Sequence, residues 1–190
     1  MQEEQLGTGH AVMMAAPVYA GAPAGHAAFV LCGDGPLIRA QTLSKIRSRH
    51  AETGAKATLA TAVLDDATGY GRIARDSAGR FAAIVEQKNC TPEQLKIKEV
   101  NPSYYCFEAG ALFASLKKVE RNPVSGEYYL TDVPGLLLAE GERVEVLQAV
   151  PPEDVLSINT PEDLARVDSI YRERVGAHTG RGQSRQQGQR

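Results

Sequence analysis

Two periodicities alternate along this chain, and their alternation is the strongest constraint on its fold. Apolar runs of strand length take turns with amphipathic helical stretches, the pattern of an α/β protein with a mostly parallel sheet. Ala27-Ala28-Phe29-Val30-Leu31-Cys32 is apolar at every position, which suits a central strand. Thr42 to His50 follows as a helix and Ala57 to Leu64 as a second buried strand. Arg72 to Arg75 and Phe81 to Val85 flank Asp76-Ser77-Ala78-Gly79-Arg80. That turn-rich connection predicts a hairpin, hence an antiparallel excursion from the parallel sheet.

Helix starts are marked by Thr91-Pro92-Glu93-Gln94 and Thr160-Pro161-Glu162-Asp163. Each offers a threonine N-cap, proline at the first helical position and an acid or amide in the first turn. Between them the pattern predicts a strand over Tyr104 to Phe107, helices over Ala111 to Val119 and Tyr129 to Glu140, and a strand over Val144 to Val150. The last helix is expected to end near Val175. From Gly176 the composition turns to Gly, Gln, Ser and Arg without an acid, so residues 176–190 read as a disordered tail behind one domain spanning 1–175.

A formal charge of -2 and 43% apolar residues exclude the basic excess of a nucleic-acid binder. Small molecules or proteins are the expected partners. Cys32, Cys90 and Cys106 are widely spaced, with no paired motif, so neither a disulfide framework nor a zinc site is expected. The N-terminal residues are acids and glutamines rather than the basic start of a signal peptide, and no apolar run has the length of a membrane span. A cytoplasmic protein with no membrane partner is the expectation.

Near the start, Leu6-Gly7-Thr8-Gly9 combines backbone freedom with a hydroxyl able to cap a helix at His10, which the apolar run from Ala11 would continue. On these residues alone the turn reads first as an ordinary helix start and second as a place where free N–H groups meet a polar ligand. Gly33-Asp34-Gly35-Pro36 follows the most apolar strand directly, placing a carboxylate at the sheet edge where open α/β proteins bind ligands. Asp34 fits a hard cation such as Mg²⁺ or the cap of a turn. Polar groups also stand beside strands at Thr68-Gly69-Tyr70-Gly71-Arg72, Val85-Glu86-Gln87-Lys88, Glu99-Val100-Asn101 and Ser157-Ile158-Asn159-Thr160.

In order and spacing these segments resemble the sugar-nucleotide pyrophosphorylases, and among them the N-acetylglucosamine-1-phosphate uridylyltransferases. The most specific stretches are Glu4-Gln5-Leu6-Gly7-Thr8-Gly9-His10-Ala11, Leu64-Asp65-Asp66 leading into Thr68 to Ile73, Ile84-Val85-Glu86-Gln87-Lys88, and Gly126 to Val133. The resemblance covers roughly residues 2 to 173. It implies a Rossmann-like nucleotide-diphospho-sugar transferase fold and magnesium-dependent transfer from UTP to N-acetylglucosamine 1-phosphate. The products are UDP-N-acetylglucosamine, a precursor of peptidoglycan and lipopolysaccharide, and pyrophosphate.

By the same resemblance Gln2, Gly7 and Thr8 hold the uracil, and Cys32, Gly33 and Asp34 lie beside the nucleotide. Gly71, Glu86 and Asn101 bind the sugar, and Asp34 and Asn159 ligate Mg²⁺ and carry catalysis. Departures from the family pattern are Cys32 for a frequent tyrosine, Gly35 for an apolar residue, Ser157 for a glycine, and Asn101-Pro102-Ser103 for asparagine, a small hydroxyl residue and glycine. In the family a glycine-rich loop with an arginine, then a lysine, cradles the triphosphate ahead of the region matched here. Arg72, Arg75 and Lys88 are poor substitutes for that loop, so the expectation is an N-terminally truncated domain with impaired turnover. The alternative expectation is a non-catalytic UDP-sugar-binding module that self-associates or pairs with a complementing polypeptide through an unpaired edge at Phe29 to Cys32.

Overall fold

The protein, seen in a computed structural model, is described over residues 2–183. Its elements run in the order α1 (Thr8–Met13), α2 (Ala16–Tyr19), β1 (Ala27–Leu31), α3 (Ala40–Thr53), β2 (Ala57–Val63), β3 (Gly71–Arg75), β4 (Phe81–Val85), β5 (Glu99–Glu108), α4 (Ala109–Leu116), α5 (Val133–Ala139), β6 (Val144–Gln148) and α6 (Pro161–Gln183). None of the described helices is long and apolar enough to cross a membrane.

The α/β class is as the alternation predicts, but the sheet is mostly antiparallel. Strand order is β4-β3-β5-β2-β6, with β1 also paired to β5. Along one edge β5 meets β2, from Ala57 opposite Phe107 to Val63 opposite Glu99. Its other edge is shared by β1, with Leu31 opposite Tyr104, and β3, with Gly71 opposite Asn101. Every one of these three pairings is antiparallel, and among the described strands only β2 with β6 is parallel.

The cause lies in the connections. Strands β1 and β2 are joined through α3 and, like β6, share one direction, as a helical crossover requires. Strand β5 instead follows the hairpin through two short 3-10 turns, Gln87–Asn89 and Gln94–Lys96, with no helix between. It returns in the opposite sense and inserts between β1 and β2. Helical periodicity reports crossovers, whereas the direction of an inserted strand leaves no periodic trace.

Strand β1 is not central. It pairs only with β5, and Phe29 and Leu31 are each 39% exposed. An all-apolar strand signals the absence of a solvated polar face, not two neighbours.

Side chains of β5 alternate between two cores as the pleat requires. Tyr105 and Phe107 join Leu59, Ile73, Leu112, Val133 and Leu137 under α4 and α5. Tyr104 and Cys106 join Ile46, Ala60 and Val100 under α3. Each large apolar side chain buried in this way contributes about 1.5–3 kcal/mol.

The predicted hairpin forms. Asp76 Oδ1 accepts from the Ala78 and Arg80 N–H groups at 2.9 Å each, and Gly79 takes φ 76°. At Thr160 a full capping box starts α6, with Asp163 N–H donating to Thr160 Oγ1 at 3.1 Å and Thr160 N–H to Asp163 Oδ2 at 3.0 Å. The same box closes at Thr91 and Gln94 but is followed by a single 3-10 turn. Helix α6 continues past Val175 to Gln183, into the segment expected to be disordered. Residues 184–190 of that expected tail lie outside the described residues.

The N-terminal helix differs from expectation. Its N-cap is Gly7, with no side-chain cap bond, and it ends at Met13 before a separate short α2. The Thr8 hydroxyl accepts from Leu130 N–H at 3.1 Å instead. Backbone bonds from Gly9 N–H to Tyr128 O and from Tyr128 N–H to Leu6 O, both 2.8 Å, lay the turn against residues 127–130. Gly7 takes φ 95°, and a Cβ there would stand 2.7 Å from Tyr128 O. Glycine is needed on both counts.

Candidate functional site

Beyond the end of β1 the chain turns through Cys32, Gly33 and Asp34 into the rim of a cavity of about 570 Å³. Opposite stands the segment before α6, where Ile158 N–H donates to Asp34 O at 2.9 Å. That bond brings Asn159 to the same cavity. Asp34 and Asn159 are both exposed, and the Asn159 amide nitrogen donates to Ser157 Oγ at 3.0 Å.

Deeper in, the hairpin supplies Gly71 and Glu86. A Cβ at Gly71 would lie 3.1 Å from Ile84 and 3.7 Å from Glu86 Oε2, so glycine keeps the space before that carboxylate open. Glu86 Oε1 accepts from the Thr131 hydroxyl at 2.9 Å. Asn101 is 5% exposed; its Nδ2 donates to Tyr105 OH at 2.6 Å and its Oδ1 accepts from Ser103 N–H at 3.2 Å. One amide proton and one lone pair of Asn101 are left for a ligand. Burial pushes the Tyr105 phenol well above its ordinary value.

The loop before Gly71 is fixed from beneath. Buried Arg72 donates to Tyr70 O and, at 3.4 Å, to Gln87 Oε1, which also accepts Gly69 N–H at 2.5 Å. Arg72 Nε finds no partner. Arg75 grips Glu99 through two bonds of 2.8 and 2.9 Å, and Lys88 pairs with Glu127 at 3.2 Å. Among the described residues, the cavity is lined by two carboxylates, Asp34 and Glu86, and by no Lys or Arg.

At the mouth, Cys32 Sγ donates to Pro102 O at 3.4 Å. Burial, with the neighbouring Asp34 carboxylate, pushes its pKa to about 11. The thiol is therefore neutral at physiological pH and acts as a wall of the site.

Of the residues singled out in the sequence, Thr8, Cys32, Gly33, Asp34, Gly71, Glu86, Asn101 and Asn159 share this cavity. Gln2 and Gly7 do not line it. The Gln2 amide lies 2.9 Å from His10 Nδ1, and Gly7 packs against Tyr128. Sequence reasoning missed Thr131, the hydrogen-bond partner of Glu86, and Tyr105, the partner of Asn101, both of which line the cavity. Thr131 falls inside the Gly126 to Val133 stretch, whose specificity was the available signal; nothing local marks Tyr105.

As to donor chemistry, Asp34 offers a carboxylate and Asn159 an amide carbonyl at one end of the cavity. Mg²⁺ takes one or two protein oxygens of this hard type and completes its octahedron with phosphates and waters. The pair fits such an ion.

A nucleotidyl transferase family profile matches residues 1–166. The bifunctional protein GlmU of Exiguobacterium sibiricum is 46% identical over 178 residues, covering 94% of this chain and 39% of that protein. GlmU of Solibacter usitatus is 46% identical over 173 residues, 91% of this chain and 37% of the relative. The chain thus spans about two fifths of the length of these curated relatives. Among solved structures, UDP-glucose pyrophosphorylase complexed with UDP-glucose superposes with a TM-score of 0.64 at 13% identity, covering 91% of this chain and 64% of that one. A Bacillus anthracis structure assigned as a glucose-1-phosphate thymidylyltransferase, in complex with sucrose, gives 0.66 at 16% identity, covering 89% and 62%. These two likenesses establish the Rossmann-like fold.

Proposed function

The chain belongs to the nucleotidyl transferase family, and from that premise we propose that its cavity binds a uridine nucleotide with N-acetylglucosamine 1-phosphate and joins them into UDP-N-acetylglucosamine. The observation that carries this reading is the convergence of Asp34, Asn159, Glu86 and Asn101, from four separate stretches of sequence, on one cavity. An oxygen of the sugar phosphate forms a bond to the α-phosphorus of UTP, the bond from that phosphorus to the bridging oxygen breaks, and pyrophosphate leaves. No protein nucleophile takes part.

Catalysis then rests on alignment and charge. Asp34 and Asn159 would hold Mg²⁺, which would supply neutralisation of the transferring phosphate. Glu86, oriented by Thr131, accepts from sugar hydroxyls, and Asn101 offers its remaining N–H to the acyl-amino substituent. Gly71 leaves the sugar room beside Glu86. Thr8 borders the nucleotide end. The setting of such a reaction is the cytoplasm, as a step in cell-envelope synthesis.

One observation favours slow turnover or binding without turnover. Two carboxylates and no Lys or Arg line the cavity among the described residues, so a triphosphate finds little cationic compensation beyond the metal. A UDP-sugar carries less charge and suits the same cavity better.

The test is pyrophosphate release from UTP and N-acetylglucosamine 1-phosphate, with and without Mg²⁺, alongside calorimetric titration with UDP-N-acetylglucosamine. Magnesium-dependent release or binding that Asp34→Ala abolishes supports the proposal. A folded chain that neither turns over nor binds refutes it.

A further inference from the structure

Asp154 is fully buried, at 0% exposure, and does not line the cavity. Two arginines from separate elements grip its carboxylate. Arg39, the residue before α3, donates from Nε to Oδ2 at 2.6 Å and from a terminal nitrogen to Oδ1 at 3.0 Å. Arg174 of α6 donates to Oδ1 and also to Leu37 O, the latter at 3.0 Å. Arg39 reaches Glu153 as well, at 2.7 Å. A buried carboxylate held this way is a poor source of net stability, because desolvation offsets the attraction. Geometry is what such a cluster supplies.

The geometry it fixes leads to the cavity. The Tyr104 hydroxyl donates to Asp154 O at 2.9 Å, and the Tyr70 hydroxyl donates to Val155 O at 3.0 Å. From Val155 the chain runs through Ser157 to Asn159, all three on the cavity wall. At the far end of this span Ile158 N–H holds Asp34 O. The segment 155–159 is therefore anchored at Asp154 on one side and at Asp34 on the other.

We propose that Asp154 is a positioning residue: clamped by Arg39 and Arg174, it sets the 155–159 segment so that Asn159 and Asp34 face one ligand. This rests on the reading of the cavity as a magnesium-nucleotide site. It makes affinity for that ligand depend on α6, an element outside the cavity.

The experiment pairs hydrogen exchange without ligand against UDP-N-acetylglucosamine titration in Mg²⁺, on the full chain and on Asp154→Asn. Exchange at Ile158 is expected to speed up while β2 and β5 keep their protection, with affinity falling on the order of tenfold, as for other groups that orient metal ligands. Arg39→Lys keeps the charge but loses the fork, and is expected to fall between wild type and Asp154→Asn; it also serves if Asp154→Asn does not fold. Unchanged protection at Ile158 overturns the proposal. So does faster exchange spread evenly over β2 and β5, which marks a general stability role, and so does a loosened segment with wild-type affinity. A wild-type chain that binds nothing refutes the nucleotide reading instead, and exchange at Ile158 then decides the clamp by itself.

Discussion

The backbone N–H of Ser103 donates to the side-chain oxygen of Asn101, and this bond accompanies a left-handed Ser103 at φ 62°. Among the described non-glycine residues it is the one with positive φ. A left-handed L-residue costs about 1–2 kcal/mol, and Ser103 stands where the resembled family has glycine. Ser103→Gly is expected to raise stability by about 0.5–1 kcal/mol, because glycine's extra freedom in the unfolded chain offsets part of the relief. Calorimetric melting checks it. A lower midpoint would contradict the strain at Ser103.

Thr131 is 6% exposed, and its hydroxyl is the donor to Glu86. Replacing it by the isosteric Val leaves the carboxylate one hydrogen bond short. The expected cost is about 1–2 kcal/mol in denaturant unfolding. Under the proposed function, affinity for the sugar phosphate falls while affinity for UTP holds, and titrations with each ligand separate the two.

Gly7→Ala forces a Cβ against Tyr128 O in a left-handed backbone. A loss of about 2–3 kcal/mol is expected. The damage should concentrate in faster amide exchange at Gly9 and Tyr128, whose N–H bonds join the N-terminal turn to residues 127–130. Uniform loosening would contradict this.

With its pKa raised from 9.0 to about 11, Cys32 carries roughly a hundredfold less thiolate at pH 8 than an unperturbed thiol. Iodoacetamide labelling of Cys32, followed by mass spectrometry, should be slow and accelerate as pH approaches 11. The sign for stability follows. A raised folded-state value favours the protonated form in the native chain, so this contribution is intact below about pH 9 and is lost as pH rises towards 11. Fast labelling at pH 8 would contradict the burial of the thiol.

Local chemistry was legible in the sequence wherever a local bond carries it. The Asp76 turn and the Thr160 box close on residues within four positions of each other. Asp34 could be placed at the strand end that borders the cavity because the apolar run ends just before it. Long-range choices were not legible. Thr8 spends its oxygen on Leu130 rather than on its own helix. That bond is settled by a partner that arrives only after the sheet assembles, and the reversed direction of β5 is settled the same way.

Strand β5 touches β1, β2 and β3 at once and sends side chains into both cores. Neither face of the sheet can come apart without breaking it, and none of β1, β2 and β3 can peel away without exposing it. Melting of the described domain is accordingly expected to be a single cooperative event, in which loss of the cavity and loss of the fold coincide at one temperature.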